Sequence, residues 1–452
     1  MSGAVVTFVD EGLGHSSHVV DLGDGGVLVL DPARLPTEQR EAARRTGTTI
    51  AFTADTHTHA DYLSGSPDLA VDGATFLAPA GARLLHPHEP VNDGDRVRVG
   101  RLQLEAIATP GHTPDHLAYL LLGPDGRPVA LFSGGSLMVG TVGRTDLLGP
   151  EHSEALARQL HRALHERILT LPDDLPVYPT HGEGSFCAAP AGGSRVTTIG
   201  RERATNPLLQ AGSEDEFVDH LLDGLGSYPA YFRRLPELNR IGVAHHAAPP
   251  SLDRLDPAGV EGVVAVAGAL VVDARPARAF AAGHVPGSLS VALRPAFASW
   301  LGWLVDPLTP LVFVVDPDQD EADLVRQCLV VGIERFAGVL DGGTEAWIAS
   351  GRSLETLALV APTDIGGRAV VDVRQAAEFH AGHVPGALHR ELGSLPAASL
   401  PTEPAVVMCA KGDRATTGAS LLARRGLAVT GVVDGGFTAW AEMPGAVAAT
   451  GP

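Results

Sequence analysis

The first residues whose types and spacing could do chemistry are two histidines and an aspartate in Asp55-Thr56-His57-Thr58-His59-Ala60-Asp61-Tyr62. Imidazole nitrogen with carboxylate oxygen is a ligand set that zinc, manganese and iron accept. An apolar run, Ile50 to Ala54, precedes them and predicts a buried strand. On an extended continuation His57 and His59 point the same way and can converge on one ion. Asp61 then serves as a third ligand or orients a ring through a hydrogen bond. Further on, Thr109-Pro110-Gly111-His112-Thr113-Pro114 presents His112 on a turn fixed by glycine and two prolines, and Val177-Tyr178-Pro179-Thr180-His181-Gly182 places another histidine after an apolar segment.

A second kind of chemistry sits near the other end. Val406-Val407-Met408 predicts a buried strand running into Cys409-Ala410-Lys411-Gly412-Asp413-Arg414, and Ala415 to Arg425 predicts a helix. A cysteine between a parallel strand's end and a helix N-terminus meets backbone N–H groups and the positive end of the helix dipole. Lys411 and Arg414 add positive charge, so the loop suits a reactive, nucleophilic thiolate. Cys187 has no basic neighbour in sequence and Cys328 lies inside a helical pattern, so both read as core.

These groups need elements to position them. Val5 to Val9, His18 to Leu22 and Val27 to Leu30 predict strands, with Asp24-Gly25 as a hairpin turn. Thr37 to Arg45 predicts a helix capped by its threonine, Val97 to Ile107 an antiparallel pair, Val129 to Ser133 a strand, and Ser153 to Leu169 a helix. Four predicted strand ends thus deliver polar groups to what could be one site. His15, His86, His88, His245 and His246 read as surface residues. The run Val263 to Val272 is too short to cross a bilayer and predicts a buried strand.

With 452 residues the chain has room for two to four domains. Its 53 acidic against 33 basic residues, a formal net charge of −20, argue against nucleic acid or an anionic membrane as a partner. No cationic segment precedes an apolar stretch at the start, which predicts no export signal. Three cysteines exclude a disulfide scaffold and fit a reducing cytoplasm.

In their order, THTHAD, TPGHT, GRTD (Gly143 to Asp146) and YPTHG resemble the metallo-β-lactamase fold, an αββα sandwich with a metal site along one edge. The likeness is closer to persulfide dioxygenases and their rhodanese fusions, through Gly182-Glu183-Gly184-Ser185-Phe186-Cys187, Thr198 to Arg203 with Asn206-Pro207, and Tyr228-Pro229-Ala230-Tyr231-Phe232. That resemblance implies one metal ion, Fe(II) with zinc as the alternative, at His57 and His112. It also implies a glutathione-like persulfide as substrate, with Arg144 near its carboxylate. Two positions depart from the pattern. Tyr62 replaces a further histidine of the general fold, which suits one metal rather than two. Gly135 stands where the dioxygenases carry an aspartate ligand, and glycine has no side chain to offer. His59, Asp61 and His181 remain as further donors, and the expected metal set is His57, His59, Asp61 and His112.

The second half repeats itself. Asp273 of Val271-Val272-Asp273-Ala274-Arg275 recurs as Asp372 of Val371-Asp372-Val373-Arg374, and Gly283-His284-Val285-Pro286-Gly287 recurs at the same offset of 99 as Gly382 to Gly386. Asp341-Gly342-Gly343 with Trp347 recurs 93 residues on as Asp434-Gly435-Gly436 with Trp440. Three ordered matches predict two copies of one domain with a parallel sheet covered by helices. Both copies resemble rhodanese domains, in which His284 and His383 read as structural. The 93-residue offset puts Asp316 opposite Cys409, in an acidic loop without a thiol, so the first copy reads as non-catalytic.

The architecture expected is α/β and multidomain. A metallo-β-lactamase-like domain covers 1–245, a rhodanese-like domain without its cysteine 255–355, and a rhodanese domain with Cys409 362–448, with residues 241–262 as linker. The function expected is persulfide oxidation coupled to sulfurtransfer, with Cys409 and Arg414 catalytic, and Arg144 and Lys411 binding substrate. Alternatives are a metal-dependent hydrolase of thioester-type bonds, or a metal-free persulfide-binding domain serving Cys409. Expected partners are a small thiol persulfide and sulfite or thiosulfate, and the sequence allows a homodimer.

Overall fold

The computed structural model describes residues 3–182, 184–187, 193–398 and 404–451, so Glu183 of the sequence motif lies outside the described residues. The chain divides into two units, residues 1–249 with 329–332, and 250–328 with 333–452.

In the first unit, alternation within the strands decides the layers. Val19, Val27 and Val29 face outward onto Ala43 and Leu69, while Val20, Leu28 and Leu30 face inward onto Leu104, Tyr119 and Phe132 of a second sheet. That second sheet buries Leu120, Leu122, Leu131 and Val177 on its far side against Ala157, Leu160 and Phe217 of two helices. The result is an αββα sandwich of two six-stranded sheets. The first runs Val5–Asp10, His15–Asp21, Gly26–Leu30, Thr49–Ala54, Thr75–Pro79, Glu89–Val91 in spatial order, antiparallel at its start and parallel from Gly26–Leu30 onward. In the second, strands Pro128–Gly134 and Pro176–Pro179 pair parallel, so their ends emerge on the same side. The helix Thr37–Thr46 begins one position differently from expectation. Pro36 is the N-cap and makes no side-chain cap bond, while the Thr37 hydroxyl donates to the Leu35 carbonyl.

The second unit holds two five-stranded sheets of identical topology. One orders Arg254–Leu255, Phe336–Leu340, Leu311–Val314, Leu270–Asp273, Leu289–Ser290; the other orders Leu359–Val360, Val429–Val433, Ala405–Met408, Ala369–Asp372, Leu388–His389. All pairs are parallel. Two expectations fail here. The run Val263 to Val272 is not one strand: Pro257–Ala267 is a helix that ends at left-handed Gly268, and the strand is only Leu270–Asp273. Asp256 starts that helix by accepting from the Gly259 N–H at 2.7 Å, with Pro257 at its first turn, so the linker expected to reach 262 is shorter. The second correction concerns register. Asp273 pairs with Val314 and Asp372 with Met408, so the residue leaving the strand opposite Cys409 is Val315, and Asp316 lies one further on.

In both copies the D-x-R pair is a buried staple. Arg275 donates to both oxygens of Asp273 and to the Gly283 carbonyl at 2.7 Å; Arg374 does the same with Asp372 and Gly382. Each G-H-V-P-G histidine donates from Nδ1 to the carbonyl of a phenylalanine four residues back and stacks on that ring, at 3.7 Å in both copies. His284 and His383 are therefore part of the scaffold.

Candidate metal centre and thiol loop

Four strand ends meet at one edge of the first unit. Residues 55–61 follow Thr49–Ala54, His112 follows Leu102–Ala108, Gly135 follows Pro128–Gly134, and His181 follows Pro176–Pro179. Residues 55–61 form a loop rather than the extended segment expected, yet His57 and His59 still converge, with ring centroids 4.2 Å apart. The His57 ring lies 4.9 Å from His112 and 5.6 Å from His181. All four rings are 1% exposed.

Hydrogen bonds at the back of each ring fix which nitrogen faces inward. Thr56 Oγ1 donates to Asp31, so His57 Nδ1–H must donate to Thr56 Oγ1 at 2.8 Å and Nε2 is left bare. His59 Nε2–H donates to Asp31 Oδ1 at 3.2 Å, which leaves Nδ1. His112 Nδ1–H donates to the Arg144 carbonyl at 2.8 Å, which leaves Nε2. These three nitrogens and both oxygens of Asp61 are buried without a hydrogen-bond partner. His181 Nδ1 stands 3.3 Å from Asp61 Oδ2 without hydrogen-bond alignment, and neither of its ring nitrogens is satisfied. Unpaired buried polar atoms are costly, and neighbouring buried lone pairs, such as those of His57, His59 and His181 within 4.8 Å of one another, are what a transition-metal ion satisfies. The residues present fit such an ion.

The electrostatics agree. Burial, then the neighbouring His59, holds His57 well below its ordinary range, and burial with His181 pulls His112 down to about 3, so both stay neutral lone-pair donors near pH 7. Burial works to raise Asp61, but His181, His59 and His15 outweigh it and hold the carboxylate at about 2. Burial also opposes charge on His59, yet Asp31 raises it overall.

Asp31 escaped the sequence reading. Its carboxylate accepts from the Thr56 N–H, Thr56 Oγ1, His59 and Thr180 Oγ1, so one buried side chain sets two imidazole tautomers. The available signal was an acid immediately after an apolar strand; the structure adds a left-handed conformation (φ 48°) unusual for a non-glycine residue. His15, expected at the surface, is 3% exposed; it donates to the Asp31 carbonyl and lies 4.1 Å from Tyr62. His116 is structural, because its Nε2 accepts from the Gly135 N–H and its Nδ1–H donates to Thr109 Oγ1.

Arg144 does not stand free for a substrate carboxylate. Its guanidinium is 3% exposed, binds both oxygens of Asp146 at 2.7 and 2.8 Å, donates to the carbonyls of Phe186 and Gly226, and packs on Tyr228. It is a clamp in the site wall. Cys187 is buried as expected but not remote: it lies beside His112 and His181, and burial with Asp61 pushes its thiol well up. At Gly135 a Cβ would fall 2.2 Å from His112 Cδ2, so the imidazole fills the space a side chain there would need.

In the second unit, Cys409 leaves strand Ala405–Met408 and is 2% exposed, with the Gly412 N–H donating to Sγ at 3.1 Å. Arg414 lies in the first turn of the following helix, Asp413–Arg424, and is held by Glu378 through two bonds of 2.6 and 2.7 Å. Lys411 is exposed at the loop's rim. In the first copy Val315 occupies the cysteine's place, and Asp320 instead caps its helix by accepting from the Ala322 and Asp323 N–H groups.

The rhodanese-like domain family matches residues 261–350 and 358–443. The crystal structure of a metallo-β-lactamase from Staphylococcus aureus subsp. aureus COL covers 75% of this chain and 99% of its own, with 25% identity and a TM-score of 0.66. Human persulfide dioxygenase ETHE1, a mitochondrial protein, is 34% identical over 198 residues, 42% of this chain and 69% of the relative. The chain belongs to the persulfide dioxygenase family. It is a metallo-β-lactamase-fold member of that family fused to two rhodanese-like domains. A hydroxyacylglutathione hydrolase from Methylobacterium sp. (strain 4-46) is also similar, 32% identical over 222 residues, 41% of this chain and 82% of the relative. Among the described residues, no helix is long and apolar enough to cross a membrane.

Proposed function

We propose that this protein is a two-centre enzyme of sulfur metabolism that handles low-molecular-weight persulfides. The observation that carries it is Cys409, whose Sγ receives a backbone N–H inside a loop between a parallel strand and a helix. The Cys409 thiolate attacks the outer sulfur of thiosulfate or a persulfide. A new S–S bond forms at Cys409 as the donor's S–S bond breaks, and its electron pair leaves with sulfite or thiolate. A second displacement passes the outer sulfur to a thiol, sulfite or cyanide and restores Cys409. The Gly412 N–H steadies charge on sulfur. Arg414, held in place by Glu378, and Lys411 at the rim draw in the anionic donor.

In the first unit the cluster of His57, His59, His112 and His181, with Asp61 beside it, would hold a metal ion. Such an ion supplies Lewis acidity, and as Fe(II) also redox chemistry with dioxygen. Asp31 and Arg144 keep the imidazoles of His57, His59 and His112 in the tautomer that offers a lone pair. Persulfide oxygenation is the leading reading for this pocket, on the likeness to persulfide dioxygenase. Thioester hydrolysis is the second, because a cluster of imidazole nitrogens without a strand-end carboxylate at Gly135 is close to the donor set of a zinc hydrolase. Two assays on the purified chain test the proposal. Sulfur transfer from thiosulfate to cyanide should vanish in Cys409→Ser, and its persistence would end the sulfurtransferase assignment. Oxygen uptake with glutathione persulfide against hydrolysis of a glutathione thioester decides between the two readings of the metal pocket.

A further inference from the structure

Two groups of three donors share His181. One is His57, His59 and His181; the other is His112, His181 and Cys187, and in each the three donor atoms lie within 4.8 Å of one another. All of these side chains are at most 1% exposed. His181 has no hydrogen-bond partner on either nitrogen, with Asp61 Oδ2 3.3 Å from its Nδ1, and His112 has none on Nε2, so two imidazoles with nitrogen to offer stand next to the Cys187 sulfur.

The position of Cys187 is built rather than incidental. The Arg144 N–H donates to the Cys187 carbonyl at 3.1 Å, the Arg144 side chain donates to the Phe186 carbonyl at 2.7 Å, and the Arg144 carbonyl accepts from His112 at 2.8 Å. One residue therefore locks the cysteine's backbone and the histidine's ring against each other. Gly135 contributes no ligand, and the His112 ring fills the space beside it. Asp31 and Asp55 stand by His59, where Thr56 and Ser66 donate to them, so the anionic candidates beside His181 are Asp61 and this sulfur.

We propose that Cys187 supplies the anionic ligand that Gly135 lacks, so that a metal ion in this pocket is held through sulfur together with His112 and His181. The proposal rests on the reading that the pocket binds a metal. On binding, the S–H bond is replaced by an S–metal bond and the thiol proton passes to solvent. A thiolate moves selectivity from an iron site of two histidines and a carboxylate towards zinc, which favours the hydrolytic reading of this unit.

The test uses cobalt(II) as a spectroscopic substitute for zinc. Chelator-stripped full-length protein is titrated under argon, with bound cobalt measured by equilibrium dialysis. The expected result is one bound ion with visible ligand-field bands and a near-ultraviolet thiolate-to-cobalt band. Cys187→Ser should lose that band and about a hundredfold in cobalt affinity, the upper end of what even outer partners of a metal ligand cost. Cys409→Ser should keep the band. Ligand-field bands without the thiolate band, or a thiolate band that survives Cys187→Ser, would overturn the role of Cys187 while leaving a metal in the pocket. No bound cobalt at all would overturn the metal reading and this proposal with it. Because the serine variant could misfold, zinc-edge X-ray absorption of the zinc-loaded wild type gives an independent reading. A sulfur neighbour at about 2.3 Å supports the proposal, and a shell of nitrogen and oxygen alone refutes it.

Discussion

Gly135→Ala adds one methyl group where the structure has no room for it. The new Cβ would sit 2.2 Å from His112 Cδ2 and 2.8 Å from Nε2, so the ring must move. Moving it strains the 2.8 Å bond from Nδ1 to the Arg144 carbonyl. Overpacking of this kind costs about 1–3 kcal/mol, and loss of a buried hydrogen bond adds about 1 kcal/mol. Gly135 is not among the glycines with positive φ, so alanine meets no backbone strain there. It even regains about 0.4–1 kcal/mol from a stiffer unfolded chain. The net is a destabilisation of about 2 kcal/mol, or about 4–8 °C in Tm for a domain of this size. The chain reports its two halves separately: all five tyrosines lie between Tyr62 and Tyr231, and all four tryptophans between Trp300 and Trp440. Thermal unfolding followed by tyrosine near-ultraviolet signal should shift, while tryptophan fluorescence should not. A tyrosine transition unchanged within a degree or so would mean that the His112 ring gives way freely, and the reasoning about a filled site would be wrong.

Other outcomes follow from the same geometry. Asp31→Asn removes an acceptor from the groups that orient His57 and His59, and should weaken metal binding about 10–100-fold in a chelator competition, with the fold intact by circular dichroism. Burial pulls the His18 ring from 6.5 down to about 4, so the unfolded chain takes up this proton first as pH falls. Stability of the first unit should therefore drop between pH 6.5 and 4 by up to about 3 kcal/mol from this residue, levelling below, and His18→Gln should flatten that part of a urea-denaturation profile. Metal at about a hundred times its Kd should stabilise the tyrosine-reported transition by about 2.7 kcal/mol and leave the tryptophan-reported one in place. Cys328→Ser should keep full sulfurtransferase activity, since that thiol is buried in helix Glu321–Val330 and burial pushes it strongly up.

What could be read from the sequence was whatever is local and periodic. The apolar run Val27 to Leu30 after Asp24-Gly25 marked a strand, and the paired D-x-R and G-H-V-P-G motifs marked a duplicated domain. His57, His59, Asp61 and His112 were legible because histidines after apolar runs sit at strand ends. Long-range contacts were not legible. An acid after Val27 to Leu30 and a cysteine six residues past His181 were in view, but nothing local says that Asp31 reaches Thr180 or that Cys187 reaches His112, because those partners come from distant strand ends. Arg144 looked available because its clamps, Phe186 and Gly226, are also remote. Val263 to Val272 misled because an apolar run read as a buried strand instead closes a helix on which Val264 and Val266 are exposed, and the decisive groups were Asp256 and Gly268 at that helix's ends. The offset that put Asp316 opposite Cys409 came from later strands, whereas sheet register aligns Val315 there.

The twin sheets of the second unit amount to a laboratory blank packaged with the sample. Both copies keep the same strand order, the same Asp–Arg staple and the same stacked histidine, and they part company over the short stretch that begins at Cys409 in one and Val315 in the other. Any property the two share belongs to the container. Transplanting the cysteine loop between Val314 and Glu321 would therefore ask whether those few residues are enough to confer sulfur transfer, inside a single molecule and under one set of conditions.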